Sequence, residues 1–535
     1  MVDKAKAEFV TSSGIPIKEV YTSADLPQDV RLKMELPGEE PYTRGIYPNM
    51  YRGKLWTVRQ FSGFGIPEET HDRFKHEYEL GATGFSIAFD SVTESGWDSD
   101  YARAEADVGA GGVPVDSLKD FRAMFEGLPI DRVSTAVIAT PWTACPLSAM
   151  YFATAEDRGI DLRKLDGTTQ NDLVLFTSCC NLIDIIPPRY LIRLCVDLIE
   201  WCAINMPKWH PVSFASYNYR ENGITAYQEL GMLLANAAGY IDEELGRNRL
   251  EIDQFAPTLS CHMAAHNDIL EEVAKFRAAR RLWYRLMKEN YGAKDPRSLK
   301  FRFHVQTSGS THVYQQPLNN LIRIAYQVLA AALGGGQSLH ANSYDEAICL
   351  PTEQSILLSI RTQQIAQYES GITNVADPLG GSYYVEWLTS ELEKRAWEYF
   401  EEIESMGGIV PALESGWIHK EYNKAMMEHE RKVATGETKV VGVNCFQLEE
   451  EPYDVPIFRP NPMAAQVQKA KLEELRRERS SLAVERSLDE LRRATESGEN
   501  VMPTVFNAVK SYATLGEICN VWRKVYGVWK VPLTV

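Results

Sequence analysis

The 535-residue chain has no run of 18 consecutive apolar residues. The best candidate, Leu321 to Leu333, is interrupted by Arg323 and Gln327, so a membrane span is not expected. Residues Met1 to Val10 carry Lys4, Lys6 and Glu8 and no apolar core, which argues against a secretory signal. Nine cysteines are present, but the number is odd and no CxxC pair exists. Buried thiols in a reducing cytoplasm are the expectation. Positive charge is in deficit: Lys+Arg 56 against Asp+Glu 73 gives a net charge of −17. Nucleic-acid binding is driven by clustered positive charge and is therefore not expected. A local basic pocket for an anionic ligand stays compatible with that balance. The signatures HExxH, GxSxG and GxxxxGK(S/T) are all absent, which removes three common hydrolytic and nucleotide-binding classes.

What is present is an ordinary globular composition, 44% hydrophobic and 24% charged, with ample chain for a large core. Short apolar or β-branched runs alternate with amphipathic stretches. Candidate strands are Trp56–Gln60, Gly84–Phe89, Val133–Ala139, Lys164–Gln170, Val212–Ser216, Glu251–Phe255, Lys300–Gln306 and Gln337–Ala341. Eight strand-helix units predict an α/β fold, a closed (β/α)₈ TIM barrel. A doubly wound sheet is the alternative, because periodicity cannot show closure. The organisation reads as an N-terminal arm at 1–45 for subunit contacts, a barrel at 46–400, and a helical linker region at 401–535. Within the last, Ala464–Ala494 is predicted as one charged helix with Leu472, Leu475, Leu482, Leu488 and Leu491 on one stripe. That stripe packs on its own barrel or touches a partner chain. A final helix is predicted over Val505–Tyr526, ended by Gly527.

In a barrel, the site lies at the carboxyl ends of the strands. Those ends are polar here: Arg59-Gln60, Asp90, Thr168 to Asn171, Tyr217-Asn218-Tyr219, His304 to Gly309, and His340 to Glu346. His262 and His266 stand four apart and read as a plain helical pair rather than metal ligands, since no third ligand can be named. Gly334-Gly335-Gly336 precedes a strand and reads as a tight turn, not a nucleotide fingerprint. No metal ligands are predicted. Loops rich in amides, hydroxyls and aromatics, with few acids and bases, suit chemistry performed by a cofactor.

Longer strings then resemble a family. Tyr47-Pro48-Asn49-Met50-Tyr51, Trp56 to Phe64, Gly96-Trp97-Asp98-Ser99-Asp100, Thr169-Gln170-Asn171-Asp172, Asp253 to Pro257, Gln306 to Gly309, Gln337 to His340 and Asp345-Glu346-Ala347 all resemble the methylmalonyl-CoA mutase family. The resemblance runs from about residue 40 to the C-terminus. It implies a (β/α)₈ barrel enclosing an acyl-CoA, and a carbon-skeleton rearrangement by an isomerase of the intramolecular transferase class. It also implies adenosylcobalamin, whose cobalt–carbon bond breaks homolytically to start radical chemistry kept from solvent.

The resemblance implies roles residue by residue. Tyr47, Met50, Thr57, Arg59, Ser86, Thr168 and Ser260 match positions of the CoA channel. Lys54 stands where the family usually has Arg, which keeps the charge but loses the bidentate fork. Phe89, His304, Gln306 and Gly309 match the face that meets the corrin, and Asn342 and Glu346 the pair that holds the adenosyl ribose. Gln170 and Tyr217 are retained in the acyl pocket, where Asn218 replaces a His that hydrogen-bonds the thioester carbonyl. Phe61 occupies the place of a Tyr. Cys180 falls where carboxylated-substrate mutases have the Arg that pairs the second carboxylate. Burying a carboxylate without that partner would cost several kcal/mol. An uncharged, branched acyl group follows as the expectation, nearer to the isobutyryl-CoA than to the 2-hydroxyisobutyryl-CoA mutases. The family's cobalamin module carries DxHxxG, and no histidine here has an Asp two residues before it. The expectation is therefore a catalytic large subunit whose cobalt ligand comes from a separate small cobalamin-binding subunit, in a hetero-oligomer that leaves room for large-subunit pairing. The alternatives are a non-catalytic structural subunit and a methylmalonyl-CoA mutase with an altered carboxylate site.

Overall fold

The computed structural model describes residues 10–530 except 19, 29–33, 104, 180, 181, 183, 451 and 452. Its centre is one all-parallel sheet. The strands are β1 Thr57–Ser62, β2 Gly84–Ala88, β3 Ser134–Ile138, β4 Gly167–Gln170, β5 Trp209–His210, β6 Val212–Ala215, β7 Leu259–Ala265, β8 Phe303–Thr307 and β9 Ser338–His340. Their order is β5-β4-β3-β2-β1-β9-β8-β7-β6. β5 and β6 are one strand interrupted at Pro211, which has no N–H to give a ladder. Residues 209–210 pair with β4, and 212–215 pair with β7. The nine segments therefore act as eight staves of a nearly closed barrel.

One helix follows each stave on the outside: Pro67–Glu79, Leu118–Met124, Ala144–Asp157, Pro188–Asn205, Ala226–Gly246, Ile269–Arg285, Asn319–Gly334 and Glu353–Tyr368. The outward-facing side chains Val58, Phe85, Ile87, Val137, Phe214, Met263, Val305 and Leu339 are buried against this ring. The inward-facing alternates are smaller and more polar, and they define the site below. Gly334 ends its helix, and Gly335 takes a left-handed conformation (φ 83°) to turn the chain into β9, as the glycine run predicts.

One stave is misplaced by the sequence reading. Glu251–Phe255 is not a strand: 252–255 is a helical turn with a capping box between Glu251 and Gln254. The sixth stave is β7, within a stretch whose periodicity reads as helical. In β7, as in the other staves, the polar residues Ser260 and His262 point into the barrel and the apolar ones point out. His262 is consequently a strand residue. His262 and His266 do not form a helical pair.

The C-terminal segments also divide more finely. The predicted helix over 464–494 is two helices, Ala464–Glu478 and Ser481–Ser497, and that over 505–526 is Met502–Lys510 and Leu515–Tyr526. Leu472, Leu475 and Leu491 are buried within this chain, the last in a helix that packs on 502–510 and 515–526, while Leu482 faces solvent. Gln468 Nε2 donates to Asp120 Oδ1 (2.7 Å), and Arg476 pairs with Asp98 (3.0 Å). Asp98 also accepts from Thr514 Oγ1 and Gly516 N, both at 2.7 Å. The Gly96 to Asp100 string is thus a clamp for the C-terminal helices. Residue 400 lies inside a further helix, Tyr383–Ser405, which packs on 226–246 and 269–285. Arg277 joins it to the body by pairing with both Asp377 and Glu386, and Arg44 reaches Asp377 at 2.9 Å.

Below the β6 and β7 ends lies a fully buried charge cluster. Lys275 Nζ donates to Glu229 Oε2 (2.7 Å), to the Ala264 carbonyl (2.8 Å) and to Glu272. Glu229 Oε1 in turn accepts from Ser216 Oγ at 3.0 Å. Removing one member of such a cluster strands the others in low dielectric. Lys275→Met should lower the stability by about 3–5 kcal/mol, read as a shift of the urea midpoint at unchanged slope.

Candidate functional site

A barrel of this kind ordinarily fills its interior with Val, Ile and Leu. Here the inward positions hold Ser86 on β2, Ser134 and Ala136 on β3, Thr168 on β4, Ser213 on β6, Ser260 on β7 and Ser338 on β9, all of which line one cavity of about 950 Å³. Small polar side chains leave the bore open along its length. At the amino ends of the strands the lining includes Tyr47, Lys54, Thr57, Arg132, Asp166 and Arg302. At the carboxyl ends it includes Phe61, Glu94, Ile138, Gln170, Leu175, Phe176, Tyr217, Asn218, His262 and Gln306.

Arg59 sits between the two ends. Gly84, its partner in the ladder, has no Cβ, and one built there would lie 3.2 Å from Arg59 Cγ. The guanidinium donates to the Phe85 carbonyl (2.9 Å) and to the carbonyl (3.2 Å) and hydroxyl (2.5 Å) of Ser134. Burial pushes it down to about 10, so it stays a cation at neutral pH. Two further hydroxyls bridge the break at Pro211: Thr168 donates to the His210 carbonyl and Ser260 to that of Val212, each at 2.9 Å.

Four histidines line the bore: His210, His262, His304 and His340. Burial lowers all four. His262 falls to about 3, with His340 as the next cause, and His340 falls to about 4. His304 is held well below its ordinary value by burial and then by His262, and His210 by burial and then Arg302. All four are neutral at pH 7. His340 Nδ1 accepts from Phe61 N (3.2 Å), which leaves its proton on Nε2. His304 Nδ1 meets Ser338 Oγ at 2.7 Å.

At the carboxyl end, Tyr217 stacks flat on His262, centroids 5.0 Å apart and planes 3° apart. Burial holds its phenol protonated, well above the ordinary range. Gly309 N donates to that phenol oxygen at 3.4 Å. Gln306 Nε2 donates to Asn342 Oδ1 at 3.0 Å, while Asn342 Nδ2 is buried with no acceptor in hydrogen-bond geometry. A Cβ at Gly309 would lie 3.2 Å from that same Nδ2. Glu346 reaches solvent on the rim; its concave setting, then Asp345 and Glu221, pushes its carboxyl up to about 7.

Most of the expected site residues therefore meet in one cavity or on its rim. Two do not line it. Met50 packs on Gly45 and Gly335 beneath the barrel, and Phe89 is buried against Phe121 with centroids 6.1 Å apart. Cys180 lies outside the described residues. The sequence reading missed His210 and His262 as bore residues: His210 precedes Pro211 and fell outside the predicted stave, and His262 was placed on a helix. It also missed Glu94, which follows β2 in a stretch without a strong pattern.

A hollow parallel barrel with a basic entry, a neutral histidine belt and a mixed apolar–amide far end has the shape and charge to suit a long ligand with an anionic tail. Comparison with known proteins identifies the class. The methylmalonyl-CoA mutase family pattern matches residues 10–528. The 2-hydroxyisobutanoyl-CoA mutase large subunit of Aquincola tertiaricarbonis is 39% identical over 525 residues, 98% of this chain and 92% of that protein. The methylmalonyl-CoA mutase of Cereibacter sphaeroides is 40% identical over 518 residues, 97% and 72% respectively. The human mitochondrial methylmalonyl-CoA mutase is 37% identical over 521 residues, 97% and 69%. The chain belongs to the methylmalonyl-CoA mutase family. It is an acyl-CoA mutase, an isomerase of the intramolecular transferase type. Among the described residues, no helix is long and apolar enough to cross a membrane.

The depressed histidines make a pH prediction. An unfolded histidine binds its proton near pH 6.5, whereas folded His262 and His340 refuse it until about pH 3 and 4. The unfolded state then holds more protons between about pH 6.5 and 4, so stability falls as pH drops through that window. His262→Gln should flatten the slope by about 1.4 kcal/mol per pH unit there, measured by urea unfolding at several pH values.

Proposed function

We propose that this chain is the catalytic large subunit of an adenosylcobalamin-dependent mutase that rearranges the carbon skeleton of an acyl-CoA with an uncharged, branched acyl group. The observation that carries this reading is the open bore. It is long, polar along its walls, basic where it begins, and apolar with a few hydrogen-bonding groups where it ends. A CoA thioester has the same sequence of properties from nucleotide to acyl group.

In this reading Lys54 and Arg302 meet the anionic end, with Arg59, Ser86, Thr168 and Ser260 along the arm. Gln170, Tyr217 and Asn218 surround the thioester. The protonated Tyr217 phenol and the Asn218 amide are donors; neither delivers a proton as an imidazolium would. An uncharged acyl group is supported by the end of the bore, where the described lining residues include no Lys or Arg and the histidines are neutral. A second carboxylate buried there would lack a counter-charge.

The residues on the rim fit a ribose-bearing cofactor. Among the described residues Asn342 Nδ2 has no acceptor in hydrogen-bond geometry, Glu346 offers acceptor oxygens toward solvent, and a side chain at Gly309 would crowd Asn342, Glu221 and Tyr217. His304 and Gln306 stand beside them in the bore. Adenosylcobalamin, when bound, supplies a cleavable cobalt–carbon bond and so a route to hydrogen-atom abstraction. The chain's own part is to bind and orient the thioester and to exclude water from the bore. A small subunit that brings the cobalt ligand fits the name of the Aquincola relative, a large subunit that this chain covers almost in full.

An acyl-CoA panel with adenosylcobalamin and the cognate small subunit tests the reading. Isobutyryl-, pivalyl- or 2-hydroxyisobutyryl-CoA should turn over at least tenfold better in kcat/KM than methylmalonyl-CoA. Preference for methylmalonyl-CoA would overturn the uncharged-acyl assignment, and an assembled complex that turns over nothing would indicate a structural subunit.

A further inference from the structure

Glu94 lines the carboxyl end of the bore, in the company of Phe61, Ile138, Leu175 and Phe176. Its backbone is held firmly. The Glu94 carbonyl accepts from Thr140 Oγ1 at 2.9 Å and from the Trp142 indole at 3.0 Å. The next two carbonyls, of Ser95 and Gly96, accept from the Arg523 guanidinium, which lies 3.6 Å over the Trp97 ring. The carboxyl group is treated differently. Among the described residues it takes part in no hydrogen bond and no ion pair, although it is half-buried on a largely apolar wall. Burial, then Asp90, pushes it up to about 8, so at neutral pH it is mostly the acid, with one donor and a free acceptor. A fixed backbone, an unpartnered acid and an apolar surround together describe half of a hydrogen-bonded pair.

We propose that Glu94 is a specificity-determining residue that hydrogen-bonds a hydroxyl group on the acyl chain, and that this protein prefers branched hydroxyacyl-CoA thioesters to their hydrocarbon isosteres. The inference rests on the acyl-CoA mutase reading above and narrows its substrate class. A hydroxyl donates to the carbonyl oxygen of the acid and accepts from its O–H at once. A methyl group in the same place leaves both groups of the acid buried and unmet. A carboxylate in that place gains no cation.

Calorimetric titration of the full-length chain with 2-hydroxyisobutyryl-CoA and with pivalyl-CoA tests this without cofactor or turnover. The two differ only in a hydroxyl for a methyl. The native chain should bind the hydroxylated thioester about 10–100-fold more tightly. Glu94→Ala should equalise the two, by raising the affinity for pivalyl-CoA and lowering that for the hydroxylated thioester. Glu94→Gln, which keeps a donor and an acceptor, should retain part of the preference. Equal affinities in the native chain, or a preference untouched by Glu94→Ala, would overturn the inference. Failure to bind any CoA thioester would overturn the mutase reading itself, and the inference with it.

Discussion

The structure depends on keeping a parallel barrel hollow. Eight staves must bury their outer faces against helices, yet their inner faces carry serine, threonine, alanine and histidine in place of branched aliphatics. The interior packing that normally stabilises such a barrel is therefore missing from its middle. Outward contacts have to replace it. Phe85, Ile87, Val137, Phe214 and Val305 against the helix ring do so, with buried charge clusters around Lys275 and Arg277.

The same hollow sets the electrostatics. Histidines on an enclosed wall are desolvated without full exclusion of a ligand, so they are neutral. Arg59 keeps its charge because it has polar partners, the Phe85 carbonyl and both Ser134 oxygens. Carboxyl groups move the other way: Glu94 is raised on the wall, and Glu346 on the rim beside Asp345 and Glu221. The bore thus presents permanent positive charge at its entry and mostly neutral hydrogen-bonding groups at its end. That gradient suits a ligand whose charge lies at one end.

The C-terminal helices show that a string shared with a family need not be a site. Gly96 to Asp100 belongs to the family strings, yet Asp98 serves to hold Thr514, Gly516 and Arg476, and Trp97 lies under Arg523. Its connection to chemistry is indirect, through the carbonyls that fix the segment of Glu94. The charged 464–478 helix is likewise committed to its own barrel through Gln468, Leu472 and Leu475, so its apolar stripe is not free for another chain.

Strand-helix alternation in the sequence was enough to predict eight staves, because outward apolar residues recur with period two wherever a helix covers them. It failed at β7, because the stretch from His262 onward reads as helical and masks the strand. The resemblance implies roles for Arg59, Gln170, Tyr217, Asn342 and Glu346, and the fold lines one cavity with the first three and sets Asn342 beside Gln306 there. What the linear order determined is the element types, the family and the residue types offered to a ligand. Only the tertiary structure decided that Pro211 splits a stave, that His210 and His262 face the bore, that Met50 and Phe89 do not, and that the Glu94 carboxyl has no partner among the described residues. These are properties of closure: which side of a strand is inside, and which group has a neighbour across the bore, depend on residues hundreds of positions apart.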